Sequence, residues 1–150
     1  MRIIILFLLN LFVLHVKAET RLHENVGDVQ MYQEVMPQFG KDGKPLVNQL
    51  PLEDYRAYGC RSEAFFPYIF RSHVIGLEGE SITHEWHREG KLEYFETLNI
   101  TQQRQSVESR YTIHRYRAGK WAVHVINQKK EIMASYHFQF SGCPAKSRSW

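Results

Sequence analysis

Between Ser81 and Phe140 apolar and polar residues alternate with a period of two, and this constrains the fold more than any other feature of the chain. Trp121, Val123 and Val125 alternate with Ala122, His124 and Ile126, while Ile132, Ala134, Tyr136, Phe138 and Phe140 alternate with Met133, Ser135, His137 and Gln139. Successive side chains of a strand point to opposite faces, so each series supplies one face to a core and one to solvent. Gly90, Gly119 and the polar stretch 127–130 punctuate the run as antiparallel hairpins. A four-residue turn at 127–130 pairs Val125 with Ile132 and Val123 with Ala134. A turn through Ala118-Gly119 pairs Tyr116 with Trp121, placing Thr112, His114 and Tyr116 beside the apolar face and Ile113 and Arg115 on the other.

Shorter β-rich runs precede these, at Tyr55–Phe66, Tyr68–Ile75, Ser81–Trp86 and Leu92–Ile100, with Pro67 marking an edge or a bend. A sheet with one apolar face must cover it with a second layer. The expected fold is all-β: an antiparallel two-sheet β-sandwich, Ig-like or similar, over residues 51–143, with a small β-barrel as the alternative. Trp86, Trp121, Tyr136 and Phe138 are its expected core aromatics. Residues 19–50 carry breakers at Pro37, Gly40, Gly43 and Pro45 and read as a weakly structured leader to the domain. Within it Asn25 is placed to cap a short helix bearing Val29, Tyr32 and Met36 on one side and ended by Pro37. Residues 144–150 form a polar, basic tail.

Residues 1–18 have the build of a signal peptide: Met1-Arg2, the apolar run Ile3–Val13, and a small-residue cleavage site at Val16-Lys17-Ala18. The apolar run is shorter than the ~20 residues of a spanning helix, so the expectation is a periplasmic or secreted protein with no stable membrane span after cleavage. Cleavage takes Arg2 and Lys17 from 19 basic residues and leaves 17 against 16 acidic ones, a nearly neutral chain with no basic stripe for nucleic acid. In an oxidising compartment Cys60 and Cys143 are expected to form a disulfide. Closing a loop of roughly eighty residues would stabilise the fold by on the order of 4–5 kcal/mol, less any strain.

The segment Thr83-His84-Glu85-Trp86-His87 concentrates groups suited to acid/base chemistry or ligand stacking. Strand geometry divides it, because Thr83, Glu85 and His87 face one way and Ile82, His84 and Trp86 the other. Trp86 is therefore expected in the core with His84 as a hydrogen-bonded neighbour, and Thr83, Glu85 and His87 on an exposed groove. Tyr94, Arg115 and His124 complete the candidate binding residues. His23, His73, His84, His87, His114, His124 and His137 read as scattered over different faces; His124 and His137 share one, diagonally offset, so neither a metal site nor a cofactor is expected. No Gly-x-Ser-x-Gly elbow or phosphate-cradling glycine loop occurs.

One stretch resembles a known family. Tyr68-Ile69-Phe70, Gly76-Leu77-Glu78-Gly79, Ile82-Thr83-His84-Glu85-Trp86, Gly90-Lys91, Gly119-Lys120-Trp121-Ala122-Val123-His124-Val125 and a closing Phe138 together look like the bacterial domain of unknown function 2914. The resemblance runs from about Phe65 to Phe140. It implies an all-β module of envelope or multidomain proteins and brings no catalytic residues with it. The functional expectation is an exported, non-catalytic binding or structural module whose partner is an envelope protein or a glycan. The alternative is a small hydrolase using His84 or His87 with Glu85 or Glu89.

Overall fold

A computed structural model describes residues 23–39, 41–42, 45–52, 56–59 and 65–142. The leader 1–18, both cysteines and the tail 144–150 lie outside the described residues. Among the described residues nine strands follow in chain order: β1 (Val26–Phe39), β2 (Pro45–Pro51), β3 (Arg56–Gly59), β4 (Phe65–Ile75), β5 (Ser81–Arg88), β6 (Lys91–Asn99), β7 (Arg104–His114), β8 (Gly119–Ile126) and β9 (Ile132–Gly142). They build a four-stranded sheet, β2-β1-β4-β7, and a five-stranded sheet, β3-β9-β8-β5-β6. Every pairing is antiparallel except β3 with β9, which is parallel. The sheets pack face to face as a sandwich and do not close into a barrel. Among the described residues no helix is long and apolar enough to cross a membrane.

Period-two burial produces the core. Tyr68, Phe70 and Val74 of β4 and Val107 and Ile113 of β7 meet Ile82 and Trp86 of β5, Trp121, Val123 and Val125 of β8, and Ala134, Tyr136, Phe138 and Phe140 of β9. The rings lock across the gap: Tyr68 stands edge-on to Phe140, and Phe70 edge-on to Trp86. Withdrawing a phenyl ring such as Phe70 or Phe140 from water contributes roughly 1.5–3 kcal/mol.

Five expectations are corrected. The helix at 25–36 does not form, because β1 runs through it and adds an antiparallel strand to β4, Val29 opposite Ser72 and Met31 opposite Phe70. A helix would have put Val29 and Tyr32 on one side; in the strand Val29 packs against the core while Tyr32 lies under the Arg71 guanidinium, 4.8 Å from ring centre to Cζ. Residues 26–51 are thus part of the sandwich rather than a leader to it.

The hairpin joining Tyr111–Arg117 to Trp121 is absent as well. β7 pairs β4 along its whole length, Phe65 opposite His114 through Ile75 opposite Arg104, and the chain crosses between sheets at 115–118 to begin β8. Burial inverts accordingly: Ile113 is in the core and Tyr116 is exposed.

The β8–β9 turn is longer than four residues. Ile126 pairs Ile132 across a five-residue loop, in which Asn127 Oδ1 accepts the Glu131 N–H at 2.9 Å, and a bulge between Val125 and Ile126 follows. Val123 therefore faces Tyr136 rather than Ala134. The shift is by two residues, which keeps the Trp121 and Phe138 series on the same face. At the bulge itself Ile132 turns out to solvent and Met133 takes the buried place.

The run Tyr55–Phe66 is not one strand, since β3 ends at Gly59 and β4 begins at Phe65 and continues through Pro67. Pro67 falls where β4 pairs β7 alone, the β1 ladder having ended at Tyr68, so the missing N–H is tolerated there.

Candidate functional site

Strand β5 presents two faces of different character. Inward, His84 is fully buried and reaches the opposite sheet: its Nε2 is 2.8 Å from Ser72 Oγ on β4 and its Nδ1 is 3.0 Å from Ser109 Oγ on β7. Trp86, two residues on, donates its indole N–H to the same Ser109 Oγ at 3.0 Å. All donors and acceptors match if Ser109 accepts from Trp86 and donates to Nδ1 while the Nε2–H donates to Ser72, the tautomer this accounting assigns. Burial alone drives the His84 pKa down to about 3, so the imidazole is neutral. Phe70 meets its ring edge-on at 4.8 Å. This constellation is a sealed polar tie between the sheets and is inaccessible to a substrate.

Outward, Thr83, Glu85 and His87 lie on one face of β5, as strand geometry requires. Glu85 is the register partner of His124 on β8, and His124 in turn is the partner of Ser135 on β9. The Glu85 carboxylate is 3.0 Å from His87 Nε2, and His124 Nδ1 is 2.7 Å from Ser135 Oγ. The His87 and His124 rings are 4.9 Å apart, centre to centre, and His124 and His137 are 6.0 Å apart. His124 is held below the usual imidazole range, first by burial and then by His87 and His137, against an opposing pull from Glu85. Thr83 Oγ1 lies 3.3 Å from Thr97 Oγ1 on β6, and exposed Phe95, the partner of Glu85, stands at the β6 edge.

The structure thus brings together Thr83, Glu85, His87 and His124 and leaves Tyr94 and Arg115 elsewhere. Tyr94 faces the other way on β6 and stacks on Tyr111 of β7 at 5.2 Å, closing one side of the sandwich; burial first, then Glu96, raises its phenol pKa. Arg115 sits in the 115–118 crossing, its Nη2 donating to Tyr116 OH at 2.6 Å and its guanidinium over that ring. Trp86, Trp121, Tyr136 and Phe138 are in the core. Glu89 occupies the β5–β6 turn and accepts the Lys120 N–H at 2.7 Å, remote from His84 in its role. Of the pairs named for hydrolysis, His84 is sealed in the interior, and only His87 with Glu85 are in contact.

His137 and Ser135 are the additions that sequence reasoning did not place in the site. The expected register set Val123 opposite Ala134, four residues from bringing His137 level with His124; the longer loop and the bulge together halve that offset. Hollows of about 300 Å³, lined by Gly79, Ser81, Asn99 and Gln128 among others, and of about 280 Å³, around Arg71 and His73, include none of Thr83, Glu85, His87 and His124.

The family pattern is now located: Gly79 precedes β5, which carries Thr83, His84 and Trp86, and the Gly119-to-Val125 series lies in β8, its neighbour in the sheet. Residues 79–140 match the DUF2914 family, described as a protein of unknown function. The DUF2914 stretch holds β5 to β8 and most of β9, less than half of the chain, and contains His84, Trp86 and Ser109 of the buried tie as well as every residue of the outer cluster. Ser72, the fourth member of the tie, lies before it on β4. No curated protein matches the chain.

Proposed function

We propose that the chain is an exported, non-catalytic binding or structural module of the bacterial envelope that takes an envelope protein or a glycan on the outer face of its five-stranded sheet. The observation carrying this reading is the gathering of Thr83, Glu85, His87 and His124 on one sheet face outside the two hollows, while the fully buried His84 is spent on tying the sheets together. Hydrogen-bonding groups spread over a flat face suit recognition of an extended partner. Export to the periplasm or beyond rests on the leader 1–18, and the envelope on the family resemblance. A Cys60–Cys143 disulfide belongs to the same reading. Its support is that Gly59 and Gly142, the residues immediately before the two cysteines, are register partners in the parallel β3–β9 pair.

The test is retention of envelope proteins and glycans by the purified domain, compared with a Thr83→Lys variant that alters only the outer face. A partner held by the wild type and released by the variant supports the reading. Retention indifferent to that change removes the face from it, and turnover of ester or glycoside substrates that disappears in His87→Ala replaces it with the hydrolase.

A further inference from the structure

We propose that the outer face of the five-stranded sheet holds a carboxylate-bearing polysaccharide, and that it does so once acid has charged the imidazoles of His137, His124 and His87. The inference rests on the proposed function for its face and narrows the ligand there to one chemical class.

Register lays this face out in rows across the strands. His137 of β9 and His87 of β5 are both partners of Ala122 on β8, and Leu92 of β6 is the partner of His87 on its other side. Two residues along β8, the neighbouring row runs Ser135, His124, Glu85 and Phe95. Ring centres are 6.0 Å apart from His137 to His124 and 4.9 Å apart from His124 to His87. The imidazoles have no need to converge on one point, because the charges of a polymer are themselves spread along it. At the β6 end of both rows Leu92 and Phe95 are exposed. A chain of uronic acid rings matches both ends: its C–H faces suit an exposed phenyl ring, and its carboxylates suit imidazolium N–H groups, which make charge-assisted hydrogen bonds when protonated.

Charge decides when this match exists. The titratable groups facing His124 are Glu85 and His87 on β5 and His137 on β9, with Lys120 four residues before it on its own strand. Past β9, Arg56 of β3 is the register partner of Gln139, and beside Lys120 the β5–β6 turn carries Glu89, which accepts the Lys120 N–H. In formal charge Glu85 and Glu89 offset Lys120 and Arg56 at neutral pH. Each imidazole that takes a proton then adds one uncompensated positive charge, and imidazole is the side chain that ordinarily does so between pH 8 and 5. Burial first, and then His87 and His137, hold His124 below the usual imidazole range against the pull of Glu85, so the middle of the row charges at lower pH than an isolated imidazole.

The test is retention of the purified protein on immobilised polygalacturonate at pH 5.5 and at pH 7.5, at one ionic strength. Fully methyl-esterified polygalacturonate, which keeps the backbone and loses the charge, is the control. Retention is expected at pH 5.5, weaker by on the order of tenfold at pH 7.5, and absent on the ester. His87→Gln and His137→Gln should each weaken the acid binding, and His73→Gln on the opposite sheet should leave it unchanged. By nuclear magnetic resonance the His124 ring should titrate at higher pH in His137→Gln than in the wild type, and polygalacturonate at pH 5.5 should move the ring resonances of His87, His124 and His137 while leaving that of buried His84 in place. Circular dichroism at both pH values checks that the variants are folded, exposed His137 being the position least able to disturb the fold. Equal retention at the two pH values, equal retention on the ester, or retention indifferent to both glutamine substitutions overturns the proposal. Envelope components held at pH 7.5 and released by Thr83→Lys would in that event leave the proposed function standing, so the two failures are told apart.

Discussion

His84 Nδ1 and Ser109 Oγ meet at 3.0 Å across the gap between two sheets, and that contact makes the middle of an aromatic core depend on one neutral imidazole. Protonation would require His84 to donate from both nitrogens, forcing Ser109 to accept from Trp86 and His84 together in a site with no water-like dielectric.

Stability should therefore rise with pH across the acid range. The folded pKa of His84 is about 3 and the unfolded value is the ordinary 6.5, so between those limits the unfolded chain binds a proton that the native chain refuses. The neutral site's full stability is present above pH 6.5 and is lost as pH falls, at about 1.4 kcal/mol per unit from this group. Urea midpoints measured from pH 7 to 4.5 should fall more steeply for the wild type than for His84→Gln. Parallel slopes, or a His84 ring resonance that titrates near pH 6, would contradict the burial argument.

Removing Ser109 should hurt more than removing Ser72. Ser109→Ala strands both the Trp86 indole N–H and His84 Nδ1, whereas Ser72→Ala strands His84 Nε2 alone. Each orphaned buried group costs about 1–3 kcal/mol, so chemical denaturation should rank Ser109→Ala below Ser72→Ala by roughly one such increment. Equal losses would show that the Trp86 bond is not maintained in solution.

Gly119 is constrained by a side chain as well as by its own backbone. Its φ is 138°, and a Cβ there would come 2.5 Å from Glu89 Oε1, the oxygen that accepts the Lys120 N–H. Gly119→Ala should destabilise by on the order of 1–3 kcal/mol, and Glu89→Gly should lessen that loss while relaxing the turn, where Glu89 and Gly90 both have positive φ. A double-mutant cycle by urea denaturation measures the coupling; additive effects would mean the two residues do not meet.

Cys60 and Cys143 should resist alkylation in protein recovered from an oxidising compartment. Mass analysis without reductant is expected to find neither modified, and reduction should lower the melting temperature, given the long loop the bridge closes. Two labelled cysteines in the unreduced protein would end this expectation.

Much of the architecture was readable because strand burial is a local code. The alternation of Trp121, Val123 and Val125 with Ala122 and His124, and of His84 and Trp86 with Glu85 and His87, sorted these residues to their faces without knowledge of any partner strand. The same code could not distinguish a hairpin from a crossing at 115–118, since a glycine before a strand serves both, and it could not foresee that β1 would find an open ladder on β4. His124 and His137 do share the outer face at a diagonal, as the alternation implies, but their offset was set by a loop one residue longer than expected and by the bulge at Val125, and neither leaves much mark on period-two patterning.

Residue order alone determined that this chain makes strands and which side of each strand is apolar, because backbone geometry turns neighbouring side chains in opposite directions whatever surrounds them. Tertiary structure decided which strands share a sheet, how His84 finds Ser72 and Ser109, and that His87 and His124 meet on one outer face. Those outcomes depend on register and packing between segments far apart in the chain, where long-range pairing competes with local turn preference.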